Sequence, residues 1–137
     1  MNDIVTRTQP SLDTAALREF VDRKWNEDIL HALLVYIAVP AKSPGFDADW
    51  ARNGYIDRVV RDAAQWAERQ PVKGLKLEVI RLDGRTPVIF FEAPATRSAS
   101  DETIVLYGHL DKQPEFDGWR RDLGPWTPKF EDGKLYG

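Results

Sequence analysis

His109 and Asp111 are the residues of this chain whose types and spacing fit metal chemistry best. They follow an apolar run, residues 103–108, which predicts a strand covered on both faces. If the chain stays extended through Asp111, alternation places His109 and Asp111 on one side and Leu110 on the other. A carboxylate there can accept the second ring N–H of a metal-binding histidine and fix its tautomer. The spacing therefore suggests a metal ligand and its orienting carboxylate.

A structural explanation of the same triplet stays open at this point. A His-x-Asp triplet arises often by chance, and a histidine at a strand end is commonly a hydrogen-bonded boundary residue. The second histidine, His31, lies inside an apolar helical pattern without an acidic neighbour at metal-site spacing, so we expect a structural role for it. Spacing alone does not decide the role of His109.

Two other groups of residues have possible chemistry. Aromatic side chains near the end of the sequence could line a ligand cleft, although such residues more often pack over the edge of a core. Lys42-Ser43 could suggest a serine–lysine hydrolase, but the surrounding sequence lacks a nucleophile-elbow glycine pattern, so we expect an ordinary turn. The aromatic group comprises Trp119, Trp126, Phe130 and Tyr136.

Composition places the chain among ordinary globular domains. It has 137 residues, 42% hydrophobic and 30% charged, which fits one domain with one core. The net charge of −3 argues against a nucleic-acid partner. Without cysteine, a transition-metal site must use His, Asp or Glu. The longest apolar run, residues 32–41, is too short to span a bilayer and no secretory signal is visible, so we expect a cytoplasmic protein without membrane contact.

The first half of the sequence predicts two helices. Apolar residues recur at three- and four-residue steps over residues 11–39, which indicates one helix with a buried face before Pro40. Ser11 or Asp13 could cap its start. A second helix is predicted from Asp47 or Asp49 to about Gln70. Its inner face would consist of Ile56, Val59, Val60, Ala63 and Ala67.

The second half changes to strand patterns. Residues 75–82 alternate like a half-exposed strand, and Asp83-Gly84 then offers a turn before the apolar stretch 87–93. Residues 103–108 predict the third strand, and Asp132-Gly133 predicts a second hairpin near the end. Two helices followed by strands indicate an α/β layer structure.

The full phrase from residue 107 to residue 137, YGHLDKQPEFDGWRRDLGPWTPKFEDGKLYG, resembles the first metal-site segment of the M20 family of zinc metallopeptidases. It is most similar to the dipeptidase and carnosinase-like branch. Residues 39–50, VPAKSPGFDADW, look like that branch's loop between its first two helices. The YGHLD string with Gly118-Trp119 and DGKLYG after it is far more specific than a bare His-x-Asp.

The resemblance implies a fold and a chemistry. It implies the N-terminal portion of a mixed-sheet zinc-exopeptidase-like α/β catalytic domain with two divalent metals, usually zinc, with manganese or cobalt in some members. His109 matches the first metal ligand, and Asp111 matches the catalytic-site carboxylate that orients it. Such a site hydrolyses the amide bond of dipeptides or small peptides: the metals activate a bridging water and a glutamate takes its proton. The resemblance also implies a homodimeric parent enzyme.

In the family, further site residues and a second domain follow the tyrosine-glycine pair that matches Tyr136-Gly137. The family's bridging aspartate, general-base glutamate, further ligands and lid domain all follow that pair, so we expect residues 1–137 to form the N-terminal segment of one catalytic domain. We expect weak metal binding and no hydrolysis from this segment alone, and its substrate-binding residues stay unknown. An alternative is a non-catalytic module that pairs with another chain through exposed strand edges.

Overall fold

The computed structural model of the chain describes residues 12–96 and 102–137. These residues fall into two compact units, residues 12–33 in the first and residues 34–96 with 102–137 in the second. The first helical elements are α1 (Thr14–Lys24), a π-helical turn (Trp25–Ile29) and α2 (Leu30–Ile37). Among the described residues, no helix is long and apolar enough to cross a membrane.

In the first unit, α1 begins at a capping aspartate. The Asp13 carboxylate accepts hydrogen bonds from the backbone N–H groups of Ala15 and Ala16, at 3.1 and 3.0 Å, which satisfies donors that a helix start leaves unpaired. Of the two predicted caps, Asp13 is confirmed, and Ser11 lies outside the described residues. The predicted burial of this helix face is wrong for α1, because none of its residues is buried and its large apolar side chains are about half exposed: Leu17, Phe20 and Val21.

The second predicted helix is two helices, α3 (Trp50–Asn53) and α4 (Tyr55–Glu68). Gly54 separates them because it adopts the left-handed conformation, with φ of 70°, and its N–H closes the end of α3 on the Trp50 carbonyl. The buried face of α4 largely matches the prediction, with Ala64 buried where Ala63 was expected. Its buried residues are Ile56, Val59, Val60 and Ala64.

Both predicted hairpins are confirmed. Strands β1 (Lys76–Ile80) and β2 (Val88–Glu92) pair antiparallel, with Glu78 opposite Phe90. Strands β3 (Lys129–Glu131) and β4 (Lys134–Tyr136) also pair antiparallel. Asp132 and Gly133 both have positive φ, 49° and 72°, as a tight turn that follows the twist of its strands requires.

The described residues therefore contain both helices and strands, as the predicted fold class requires. They do not contain a mixed parallel and antiparallel sheet. The strands form two separate two-stranded antiparallel sheets. The predicted third strand is wrong: residues 103–109 have no regular structure, and Ile104, Val105, Leu106 and Tyr107 are 85–91% exposed. A strand needs a neighbour to complete its backbone hydrogen bonds, and no described residue pairs with this segment.

A small apolar core holds the second unit together. Its five buried members come from the chain after α2 and from α4: Val39, Ala41, Ile56, Val59 and Val60. Side chains from α2, α3, β1, β2 and the segment after residue 109 pack against it. These partly buried residues are Tyr36, Trp50, Val79, Ile89 and Leu110. The core thus joins α4, the first hairpin and Leu110.

Truncating Ile56 to alanine tests the importance of this core. Ile56→Ala should lower the free energy of unfolding by about 2–5 kcal/mol, because it removes a buried side chain and leaves a cavity. Leu82→Ala at an exposed position is the control and should change stability by about 0.5 kcal/mol or less. Urea unfolding followed by tryptophan fluorescence measures both. Equal effects of the two variants would contradict the assignment of the core.

Candidate functional site

The segment from His109 to Lys112 places its side chains alternately in the core and at the surface. Leu110 packs against the core, whereas the side chains of His109 and Asp111 are 62% and 38% exposed. The expected alternation therefore holds locally, although the strand predicted to produce it is not formed. The histidine and the carboxylate thus lie on one side of the chain without a paired strand.

The His109 ring is held by the residue two positions later. Its Nδ1 lies 3.2 Å from the Asp111 carboxylate Oδ1 and 3.0 Å from the Asp111 backbone carbonyl oxygen. Both oxygens are acceptors, so in the neutral ring these contacts favour the tautomer with the proton on Nδ1, which leaves the Nε2 lone pair available. This contact confirms the predicted proximity of His109 and Asp111. The arrangement is the one that a histidine uses when Nε2 binds a metal and a carboxylate orients the ring.

Backbone hydrogen bonds fix the position of the segment. The Lys112 N–H donates to the Ala41 carbonyl at 2.9 Å, and the Ser43 N–H donates to the Lys112 carbonyl at 3.0 Å. These two bonds form a parallel bridge between Lys42 and Lys112. The Tyr36 hydroxyl donates to the Leu110 carbonyl at 2.9 Å. The residues on each side of Asp111 are thereby tied to α2 and to the chain that follows it.

The Lys112 side chain turns towards the end of α2. Its ammonium donates to the carbonyls of Tyr36 and Val39, each at 2.6 Å, and to that of Ile37 at 3.1 Å. It also lies over two aromatic rings, 4.1 Å from the centroid of Tyr36 and 5.2 Å from that of Trp126. Burial lowers the pKa of Lys112 to about 8, so the side chain is mostly cationic at neutral pH.

Tyr36 is kept protonated by its surroundings. Burial, and then the negative charge of Asp111, raise the pKa of its hydroxyl. The hydroxyl therefore stays a donor to Leu110 across the physiological range. Tyr36 thus links the core, the Lys112 ammonium and the backbone beside the candidate ligand.

Charged side chains order the loop after the site. The Glu115 carboxylate accepts from Lys42 Nζ and from Trp126 Nε1, each at 3.2 Å. Its own backbone N–H, and then Lys42, lower the pKa of Glu115. Further along, two basic and two acidic residues of the last hairpin and its approach form a cluster of ion pairs: Arg120, Asp122, Lys129 and Glu131.

The aromatic residues near the end of the chain mostly contact neighbouring side chains, as expected for residues that pack. Trp126 faces Lys112, and Tyr136 lies under the Arg120 guanidinium at 5.7 Å. Phe130 is partly exposed. Trp119 Nε1 is buried and has no hydrogen-bond partner among the described residues. These contacts do not form a shared aromatic platform.

The other candidate residues of the sequence, His31 and Lys42-Ser43, lie in ordinary structural positions. His31 is exposed on α2. Lys42 forms an ion pair with Glu115, and the Ser43 backbone forms part of the bridge to Lys112. Lys112 itself is not among the predicted site residues, although the alternation that puts Leu110 inside also puts residue 112 on that side. That alternation was the available signal for its inward position.

The donors present fit one metal ligand. Within residues 12–96 and 102–137, no group of three or more His, Asp or Glu side chains is arranged to hold a metal ion. A catalytic zinc site requires three protein ligands, and His109 is a candidate for one of them. A comparison with protein-family models and with curated proteins found no match. The functional interpretation therefore rests on the motif and on the geometry of His109 and Asp111.

Removing the Asp111 carboxylate tests its control of the His109 tautomer. In Asp111→Ala the Nδ1–H form should decrease in favour of Nε2–H, because only the backbone carbonyl remains as an acceptor. Long-range ¹H–¹⁵N correlation spectra at about pH 7.5, above the ordinary imidazole pKa, report the tautomer. Asp117→Ala, at an exposed position, is the control. An unchanged His109 tautomer in Asp111→Ala would contradict the orienting role.

Proposed function

We propose that this chain carries part of the active site of an M20-like metal-dependent hydrolase, a dipeptidase-type metallopeptidase acting on the amide bond of dipeptides or small peptides. The observation that carries the proposal is the His109 ring, whose Nδ1 is held by Asp111 and whose Nε2 is left to bind a metal. The phrase around these residues, YGHLD with the later DGKLYG, supports the same function. The finer fold proposal is a mixed-sheet exopeptidase-like catalytic domain.

In this proposal His109 is a metal ligand and Asp111 its orienting group. A negatively charged acceptor at Nδ1 makes Nε2 a better electron-pair donor and holds the ring in one direction. Divalent cations, two zinc ions or alternatively manganese or cobalt, would supply Lewis acidity for a bound water. The surface position of His109 leaves room for ligands from other residues to approach.

The described residues hold only a partial site. One imidazole with an orienting carboxylate binds a divalent ion weakly, since a closed catalytic site needs at least three ligands. We therefore expect no hydrolysis by the chain of 137 residues alone. Homodimer formation and a cytoplasmic location stay predictions for the parent enzyme.

Zinc titration of paired histidine variants tests the proposal. The chain should bind Zn²⁺ with a dissociation constant weaker than about 1 μM, and His109→Ala should abolish that binding. His31→Ala removes the other histidine of the chain and is the matched control. Calorimetry measures binding, and a dipeptide hydrolysis assay should show no turnover. Equal zinc affinity of wild type and His109→Ala would refute the role of His109 as a metal ligand. Tight zinc binding together with dipeptide hydrolysis would refute the claim that this chain holds only part of a site.

A second candidate function, association with another chain, is favoured by a separate observation. Residues 104–107 are apolar and almost fully exposed. Strand β2 also presents Val88, Phe90 and Phe91 partly to solvent, and β1 is its one pairing partner among the described residues. Monomeric proteins rarely leave such contiguous apolar surface uncovered. A second copy of this chain would offer both halves of a strand pairing.

Light scattering coupled to size exclusion tests the association. The wild-type chain should form dimers or larger species as its concentration rises, because pairing removes apolar side chains from water. A double variant, Ile104→Lys with Leu106→Lys, should elute as a monomer at the same concentrations. Gln65→Lys with Gln113→Lys adds the same charge at exposed polar positions and should still associate. A monomeric wild type throughout the range would rule this function out.

A further inference from the structure

Among residues 12–96 and 102–137, the backbone hydrogen bonds that hold the segment carrying His109 come only from the side that follows it. The backbone of residues 103–108 makes no backbone hydrogen bond to another described residue, and its large side chains are exposed. The direction of the chain at His109 is therefore set by the residues that follow it. Leu110, Asp111 and Lys112 are those residues.

Three kinds of contact act on this short stretch. Leu110 packs on the core, the Tyr36 hydroxyl donates to the Leu110 carbonyl, and Lys112 contributes both its backbone and its ammonium. The tyrosine bond is a single neutral hydrogen bond. The lysine ammonium makes three charge-assisted bonds, and such bonds are about twice as strong as neutral ones. Lys112 is thus the strongest polar attachment of the stretch.

The carbonyl groups that accept hydrogen bonds from the Lys112 ammonium lie where a positive charge is stabilised. The carbonyls of Tyr36, Ile37 and Val39 belong to the last residues of α2 and the chain just beyond it. Carbonyls at a helix C-terminus lack partners within the helix and carry partial negative charge. The ring of Tyr36 adds a second attraction for the ammonium at 4.1 Å. A neutral side chain of similar length offers no equivalent interaction.

We propose that Lys112 is the positioning residue for the His109–Asp111 pair, acting by fastening the chain after His109 to the end of α2. The inference rests on the proposed function, in which the orientation of His109 matters. Lys112 directly follows Asp111, so its two backbone bonds and its side chain together fix the peptide unit that leads into it. The Asp111 carboxylate and carbonyl then both face Nδ1 of His109. Without this attachment the carboxylate and the ring are free to separate.

Substitution of Lys112 tests the inference in the chain itself. Lys112→Met keeps the aliphatic part and removes the ammonium, and it should shift the His109 tautomer from mainly Nδ1–H to mainly Nε2–H while the spectrum of the core is retained. Lys112→Arg keeps the charge and should restore mainly Nδ1–H. Lys42→Met makes the same change in the bridge partner, whose ammonium contacts Glu115 instead, and should leave the tautomer unchanged. Long-range ¹H–¹⁵N spectra at about pH 7.5 measure the tautomer.

The outcomes separate this inference from the proposed function. A folded Lys112→Met with the wild-type tautomer would overturn the positioning role, as would an equal change in Lys42→Met. If Lys112→Met does not fold, Lys112→Gln replaces it, because it keeps two N–H donors without the charge. Its His109 tautomer should also shift to mainly Nε2–H, and a wild-type tautomer would overturn the positioning role. A wild-type chain without a dominant Nδ1–H tautomer would instead overturn the proposed function. Zinc binding that depends on His109 together with an unchanged tautomer in Lys112→Met would leave the function standing and remove the role of Lys112.

Discussion

The attachment of Lys112 to the end of α2 is the interaction on which the arrangement around His109 depends. A lysine ammonium placed among backbone carbonyls loses hydration, and burial lowers its pKa for that reason. Three carbonyl oxygens and the face of Tyr36 replace the lost water. The carbonyls of Tyr36 and Val39 also accept backbone N–H groups, from Val39 and Ala41, so the lysine adds a charged donor to a helix end that is already turned. One side chain therefore contacts a helix end and directs the chain beside the candidate ligand.

The core that supports this attachment is small. Val39 and Ala41, the residues between α2 and the bridge, are almost completely buried against α4. Their burial holds the backbone whose carbonyls receive Lys112, so packing and polar contacts act on the same short stretch. Leu110 enters that core from the other side of the bridge. A chain with few buried side chains depends correspondingly more on such directional contacts.

Features encoded by neighbouring residues could be predicted from the sequence, and features that need distant partners could not. Asp132-Gly133 specifies its hairpin through two residues that tolerate positive φ. The contact between His109 and Asp111 joins residues two positions apart, so their spacing could predict it even though the strand before it does not form. Residues 103–108 have strand-forming composition, but a strand also needs hydrogen-bond partners, and composition does not say which residues supply them. Lys112 reaches carbonyls more than seventy residues earlier, a distance that no local pattern reveals.

The two proposed functions meet at one segment, and this makes them physically coupled. Residues 104–107 lead directly into His109, so a strand that pairs with them would fix the side of His109 that the described residues leave unsupported. Ordering that side in advance lowers the entropy lost when further ligands converge on a metal at Nε2. By linkage, a metal held by His109 and by a pairing chain would strengthen the pairing by the same factor. Lys112 fixes one end of the segment within the chain, and pairing at residues 104–107 would fix the other.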